Sequence, residues 1–221
     1  MEFRFDAVAP YLPVLAKAVE TTLFLTAAGF VIGTVAGLFV AVARMSKTAP
    51  IRLAASAAVN VVLATPVVVQ LLWIFYVLPI LTGIRLSDIA VLVVVLGVAQ
   101  TAVSAENYRA GLQSVAPGQR DAAFTLGLSR FQTMRHVVLP QAIRLVLPPH
   151  ASSTISLVKD SSIATFIGVN DLLNVGRSVA IETFRPIEAM TVVAVMYFIL
   201  TYPISIGSIA LHRRLSIGVR R

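Results

Sequence analysis

The sequence contains no cysteine, which removes disulfides, thiolate metal sites and cysteine nucleophiles from consideration without identifying a compartment. Charge is scarce: 13% of residues are charged against 57% hydrophobic, a membrane composition rather than a globular one. There is no G-x-x-x-x-G-K-[ST] phosphate loop, no H-E-x-x-H pair and no G-x-S-x-G elbow. No catalytic residue and no metal site are therefore expected, and the chain is not an enzyme by itself. No internal repeat is visible either, unlike the related halves of many secondary transporters. The opening M-E-F-R-F-D lacks the basic patch of a signal peptide and the apolar run behind it is too long for one, so the first span is expected to be retained.

What the sequence has instead is long apolar stretches. A helix needs about 20 mainly apolar residues to cross the hydrocarbon layer. Thr21 to Ala43, Leu53 to Ile84, Ile89 to Ala105 and Ala189 to Leu211 reach or approach that length, and Leu145 to Val169 is a further stretch broken by Lys159 and Asp160. The expected fold is an all-α integral membrane protein with five transmembrane helices, one domain over residues 1–221. The net charge of +8 invites a nucleic-acid reading, but its distribution argues against one. Arg44, Lys47, Arg52, Arg109, Arg120, Arg130, Arg135, Arg144, Arg213, Arg214, Arg220 and Arg221 all fall on one side. The other side holds Arg4, Lys17, Arg85, Arg177 and Arg185 among Glu2, Asp6, Glu20, Asp88, Asp171, Glu182 and Glu188. The positive-inside rule then puts the C-terminus in the cytoplasm and, with five spans, the N-terminus outside.

Residues 4–20 mix Pro10, Tyr11 and Pro13 with Lys17 and Glu20, which suits a short amphipathic segment at the outer interface. Gly29, Gly33 and Gly37 share one face of the first span, where another helix can approach closely. Pro66 and Pro79 interrupt the second span and remove backbone donors that only neighbouring protein or a water-filled cavity can replace. Five spans make a thin wall for a solute pathway, so a pore between subunits is the economical expectation.

The basic segment between spans three and four carries its own signals. Pro117 suits a first helical position and Gly127 the left-handed residue after a helix. Ser129 to Gln132 has capping-box spacing, predicting a second short helix that runs toward Leu139 and stops at Pro140. Residues 116–139 thus form an L-shaped knob, slim at Ala122 and Ala123, with Phe124 and Leu126 as apolar anchors for a partner's groove.

D-A-A-F-T-L-G from Asp121, followed by V-L-P at Val138 to Pro140, resembles the E-A-A loop of ATP-binding-cassette importer permeases, with aspartate for the usual glutamate. T-P-V-V-V-Q-L from Thr65, A-E-N-Y-R-A-G-L from Ala105, L-P-Q-A-I-R from Leu139 and L-V-K-D-S-S-I from Leu157 resemble the branch for polar amino acids and opines. The likeness runs from about Tyr11 onward, with five strings in order. It implies the type I importer permease fold in a bacterial inner membrane, paired with an identical or homologous permease. It also implies ATPase subunits, which carry ATP and magnesium, and an extracytoplasmic solute-binding protein; no cofactor is expected on this chain. The coupling residues it implies are Asp121, Ala122, Ala123, Phe124, Leu126 and Gly127.

For the substrate pathway, Pro148 and Pro149 mark where the chain turns into the membrane, and a rise of about 1.5 Å per residue carries Lys159 roughly 15 Å beyond them. Ser152, Ser156, Lys159 and Asp160 fall near one helical stripe, with Ser161 next in the chain. Lysine and aspartate suit the carboxylate and ammonium of a zwitterion, or pair with each other or a neighbouring helix. Thr65, Gln70 and Gln100 offer polar groups to the same solute, or bond to neighbouring helices. Glu106 and Arg109, three apart, read as an intrahelical pair. The sequence departs from the branch at Leu63 and Ala64, where arginine and glycine are usual. It departs again at His150 to Ser153, where leucine, glycine and asparagine are expected. The functional alternatives are an autonomous carrier or channel using Lys159 and Asp160, and a non-transporting scaffold.

Overall fold

Glycine at every fourth position decides how the first long helix meets its neighbour. In the computed structural model, which describes residues 3–216, α1 (Leu12–Arg44) lies along α5 (Asp88–Gln113) with Gly29, Gly33 and Gly37 at the seam. A Cβ at Gly33 would stand 2.4 Å from the Cβ of Gln100, and one at Gly37 2.5 Å from the Cβ of Ser104. The facing residues Leu96, Gln100 and Ser104 are themselves four apart, so one stripe meets another in register. Glu2, Arg220 and Arg221 of the charge pattern lie outside the described residues, as does the side chain of Arg214.

The segment expected at the interface, residues 4–20, is shorter than its composition suggests. Only two helical turns, Phe5–Ala7 and Ala9–Tyr11, precede α1, which is unbroken from Leu12. Pro13 sits in the first turn, where its missing N–H leaves no bond unmade, and Leu15 is buried with Val8 in a cluster that includes Leu172 and Val193.

The second apolar stretch is two helical pieces bent by 104°, α2 (Ala49–Ala64) and the segment Val67–Thr82. Thr65, obliged to be extended because Pro66 follows it, has φ −103° and ψ 130°. Gln70 Nε2 donates to the carbonyls of Val62 and Thr65, both at 2.9 Å, and so serves backbone groups that the break releases. Beyond it, α3 (Val67–Leu72) passes through a widened turn, Trp73–Val77, into α4 (Leu78–Thr82). There the Leu78 N–H reaches back five residues to the Trp73 carbonyl, just before Pro79.

The same device recurs at the knob and overturns the expected stop at Pro140. The helical segment α7 (Arg130–Thr133) continues through a widened turn, Met134–Val138, into α8 (Leu139–Asp160). The Leu139 N–H bonds the Met134 carbonyl, five residues back, so the turn is loose enough to accept the proline that follows. Pro148 and Pro149 are likewise interior to α8, so the helix neither starts nor breaks there. Burial of Val146, His150, Ser153 and Leu157 holds the helix where its own bonding is interrupted.

After Asp160 a tight turn, Ser161–Ile167, ends at Gly168, and Asp171 caps α9 (Leu172–Thr183) by accepting the Asn174 N–H at 2.9 Å. Tyr197 on α10 (Pro186–Ser216) donates to the other Asp171 oxygen, and the Leu172 N–H donates to Thr22 Oγ1 on α1. Burial pushes the Asp171 carboxyl above the usual range, against these hydrogen bonds. Three helices, Phe5–Arg44, Asp88–Gln113 and Pro186–Leu211, are long and apolar enough to cross a bilayer, and the bent pair brings the number to as many as four. α8, with two prolines, His150 and several serines in its middle, is not among them.

Candidate coupling knob and solute pathway

The knob is a rigid corner. α6 (Pro117–Thr125) closes with the Leu128 N–H on the Ala123 carbonyl and the Gly127 N–H on the Phe124 carbonyl, a Schellman motif that requires the left-handed conformation of Gly127, φ +79°. The next turn opens with a reciprocal capping box, Gln132 N–H to Ser129 Oγ at 3.3 Å and Ser129 N–H to Gln132 Oε1 at 2.8 Å. Leu126 is 82% exposed and Phe124 47%, two apolar side chains held out at the surface. Asp121 and Ala122 are exposed beside them. Ala123 is 3% exposed and faces inward, so the slim surface expected of both alanines belongs to Ala122 alone.

Two ties that sequence reasoning missed join the knob to the long helices. Arg120 Nη2 donates to the Leu112 carbonyl at 2.6 Å, near the end of α5, and Gln141 Nε2 on α8 donates to Gln119 Oε1 at 2.5 Å. These bonds tie α6 to both α5 and α8. No apolar period marks such contacts; only the position of polar residues in the first turn of α6 hints at them. Glu106, expected to pair with Arg109 alone, also accepts from Arg44 Nη1 at 2.6 Å and so bridges α1 to α5.

The predicted pathway residues separate into two groups. Gln100 is 3% exposed, donating to Ser104 Oγ at 3.3 Å and Ser153 Oγ at 3.0 Å, and Ser161 is buried with its hydroxyl on the Val158 carbonyl. Both are sealed inside the chain. Thr65 bonds the Val61 carbonyl and Gln70 spans the break in the second stretch, so their polar atoms serve backbone. The other group stays open. Ser152, Ser156 and Lys159 are exposed along one stripe of α8, with Asp160 half-buried beside them. Ser152 meets Ser208 Oγ on α10 at 3.2 Å. Among the described residues neither Lys159 nor Asp160 forms an ion pair within 4 Å, because neighbours in a helix point about 100° apart. Lys159 lies instead at the edge of a groove of 290 Å³ with Ser162, Leu173, Met190 and Tyr197.

His150, at the departure from the resemblance, is packed. Its Nε2 is 2.9 Å from Thr34 Oγ1, and its ring lies 5.1 Å from Phe30 and 5.6 Å from Tyr108. The Tyr108 hydroxyl donates to the Thr34 carbonyl, so the three residues knot α1, α5 and α8 together. Thr34, directly after Gly33, was the sequence signal for this contact.

Long apolar helices, a charged interruption open at the surface and an exposed rigid corner are features of a membrane-embedded transport subunit. The chain belongs to the family of binding-protein-dependent transport system inner membrane components, whose profile matches residues 12–221. It is 34% identical to the glutamine transport system permease protein GlnP of Escherichia coli (strain K12), over 98% of this chain and 100% of that one. It is 33% identical to the L-cystine transport system permease protein TcyB of Bacillus subtilis (strain 168), over 92% and 87% of the two chains. A crystal structure of an amino acid ABC transporter with histidines matches with a TM-score of 0.91 and 34% identity, covering 97% of this chain and 100% of that one. The inward-facing methionine transporter MetNI, at 24% identity and a TM-score of 0.74 over 93% and 98% of the two chains, shares the fold. The family is one of ABC permeases, transport subunits rather than enzymes, with ATP hydrolysis on a separate subunit.

Proposed function

We propose that this chain is the permease of an ATP-driven importer for a polar amino acid or a related small zwitterion, in a bacterial cytoplasmic membrane. It pairs with a second permease, rests on two ATPase subunits and receives solute from an extracytoplasmic binding protein. The spans are α1, the bent α2–α4 stretch, α5, α8 and α10, with the N-terminus outside and the knob and C-terminus in the cytoplasm. The observation that carries the reading is the corner at Gly127, which holds Phe124 and Leu126 exposed in a chain with no nucleotide-binding motif of its own. The docking surface is Asp121, Ala122, Phe124 and Leu126, with Gly127 setting its shape and Ala123 supporting it from within. ATPase closure moves α6, and the Arg120 and Gln141 ties pass that motion to α5 and α8 during alternating access. The solute meets the open stripe of Ser152, Ser156, Lys159 and Asp160 on α8, where a lysine ammonium suits a carboxylate and Asp160 an ammonium group. Glutamine and cystine, the substrates for which those two relatives are named, belong to that chemical class.

The test is reconstitution of the chain with its ATPase, second permease and binding protein in proteoliposomes. Solute uptake should require ATP. Gly127→Val, a β-branched residue at positive φ, should lose co-purification of the ATPase while inserting normally. ATPase retention equal to wild type would sink the docking assignment. Uptake by the chain alone without any ATPase would establish the autonomous carrier instead.

A further inference from the structure

Beside the knob lies a second feature, which shares Asp121 and Phe124 with the docking surface but whose cations that surface does not include. The turn between α1 and α2 and the first turns of α6 enclose a cleft of 550 Å³, lined by Arg44, Lys47, Arg52, Arg120, Asp121 and Phe124 among others. Four cations and one carboxylate thus line it, and of the cations Arg44 is already paired with Glu106. Like charges gathered in one cleft repel unless a counter-charge joins them.

Their existing bonds leave donors to spare. Arg44 spends Nη1 on Glu106, Arg120 spends Nη2 on the Leu112 carbonyl, and Arg52 spends Nη1 on the Ser46 carbonyl. Arg44, from α1, and Arg120, from α6, thus line one cleft in which cations outnumber carboxylates, and that excess suits the cleft to an anion. Its chemistry follows from the donors: guanidinium forks select planar or tetrahedral oxyanions with several acceptor oxygens. Asp121 cannot serve both walls. The cleft also lies where apolar surface gives way to charge, since Val42, Met45 and Leu53 are exposed on the adjoining turns of α1 and α2. That is headgroup depth for a helix crossing a bilayer.

We propose that this cleft is a binding site for a phosphate-bearing anion, either the headgroup of an anionic phospholipid or free phosphate, bracing the α1–α2 turn against α6. The site requires only that α1 crosses a membrane and does not depend on the coupling role of the knob.

The experiment uses the full-length chain in nanodiscs made from phosphatidylglycerol and phosphatidylcholine, with lipid retained after extraction counted by native mass spectrometry. Lys47→Gln and the pair Lys47→Gln with Arg52→Gln alter exposed side chains and leave the seam intact. Each cation near an anionic group contributes about a fivefold change in binding, so the double variant should retain phosphatidylglycerol about 25-fold more weakly than wild type. Displacement of that lipid by excess inorganic phosphate identifies free phosphate as a ligand, and lipid loss in the variants without such displacement identifies the headgroup. Retention equal to wild type in both variants overturns the site. Variants that keep their lipid but no longer co-purify an ATPase would overturn it too, by giving the cations to an acidic partner surface.

Discussion

Along the seam between α1 and α5 Gln100, Ser104 and Thr34 are bonded inside the chain, whereas along the outer stripe of α8 Ser156 and Lys159 stay open. Gln100 is held by Ser104 and Ser153, and Thr34 by His150 and Tyr108. Ser156 and Lys159 are exposed, and neither makes a hydrogen bond among the described residues. Both regions lie in long helices and both carry amides, hydroxyls or charges. The difference is the glycine stripe, which lets α5 approach α1 so closely that polar side chains can only bond within the seam. On α8 only Ser152 of the stripe meets a partner among the described residues, Ser208 on α10, and Ser156 and Lys159 are left open. A polar group in an apolar helix therefore indicates function only where its own chain leaves it unsatisfied.

The strongest way to break the comparison is Gly33→Val. Its new Cβ would stand 2.4 Å from Gln100 Cβ and 2.8 Å from the Gln100 backbone carbon, so neither helix can yield without opening the seam. Overpacking costs about 1–3 kcal/mol and occasionally more, and this site should reach the upper end or beyond it. The check is thermal unfolding of the purified chain in detergent, and wild-type stability would mean that the seam is looser than described. Gln100→Leu should cost less, about 1–3 kcal/mol, because it leaves the Ser104 and Ser153 hydroxyls without their donor in a buried site. The same melt measures it, with solute uptake as a second readout. Loss of uptake at unchanged stability would return Gln100 to the pathway.

Those expectations rest on features of unequal legibility. The glycine stripe, the cap at Gly127 and the capping box at Ser129 were readable because each depends on local spacing and backbone chemistry. Prolines misled. Pro140 was read as a stop, yet a widened turn ahead of it admits the ring, just as one ahead of Pro79 does. Whether a helix widens in this way depends on tertiary packing, which no local rule contains. Pro148 and Pro149 stay helical for the same reason. Helical spacing gives a residue's direction about its own axis but not which neighbour arrives there, so it left Gln100 between solute and a neighbouring helix and did not tell that Ser161 and Ala123 would be buried. The element α9 was missed because Leu172–Thr183 is too short and too polar to stand out as a span.

The smallest expected change in stability is Lys159→Ala, and it sharpens the comparison from the other side. The side chain is exposed and forms no ion pair within 4 Å among the described residues, so its removal should move stability by less than about 0.5 kcal/mol. Ser152 and Asp160 keep their places, since neither is bonded to it. Solute-stimulated ATP hydrolysis by the reconstituted transporter should nevertheless collapse while basal hydrolysis persists, because a cation that meets the solute acts only when solute is present. Equal loss of both activities at wild-type stability would make Lys159 part of the coupling path. Loss of stability would instead place it against a second copy of the chain, with the open stripe of α8 closed by that partner rather than by solute.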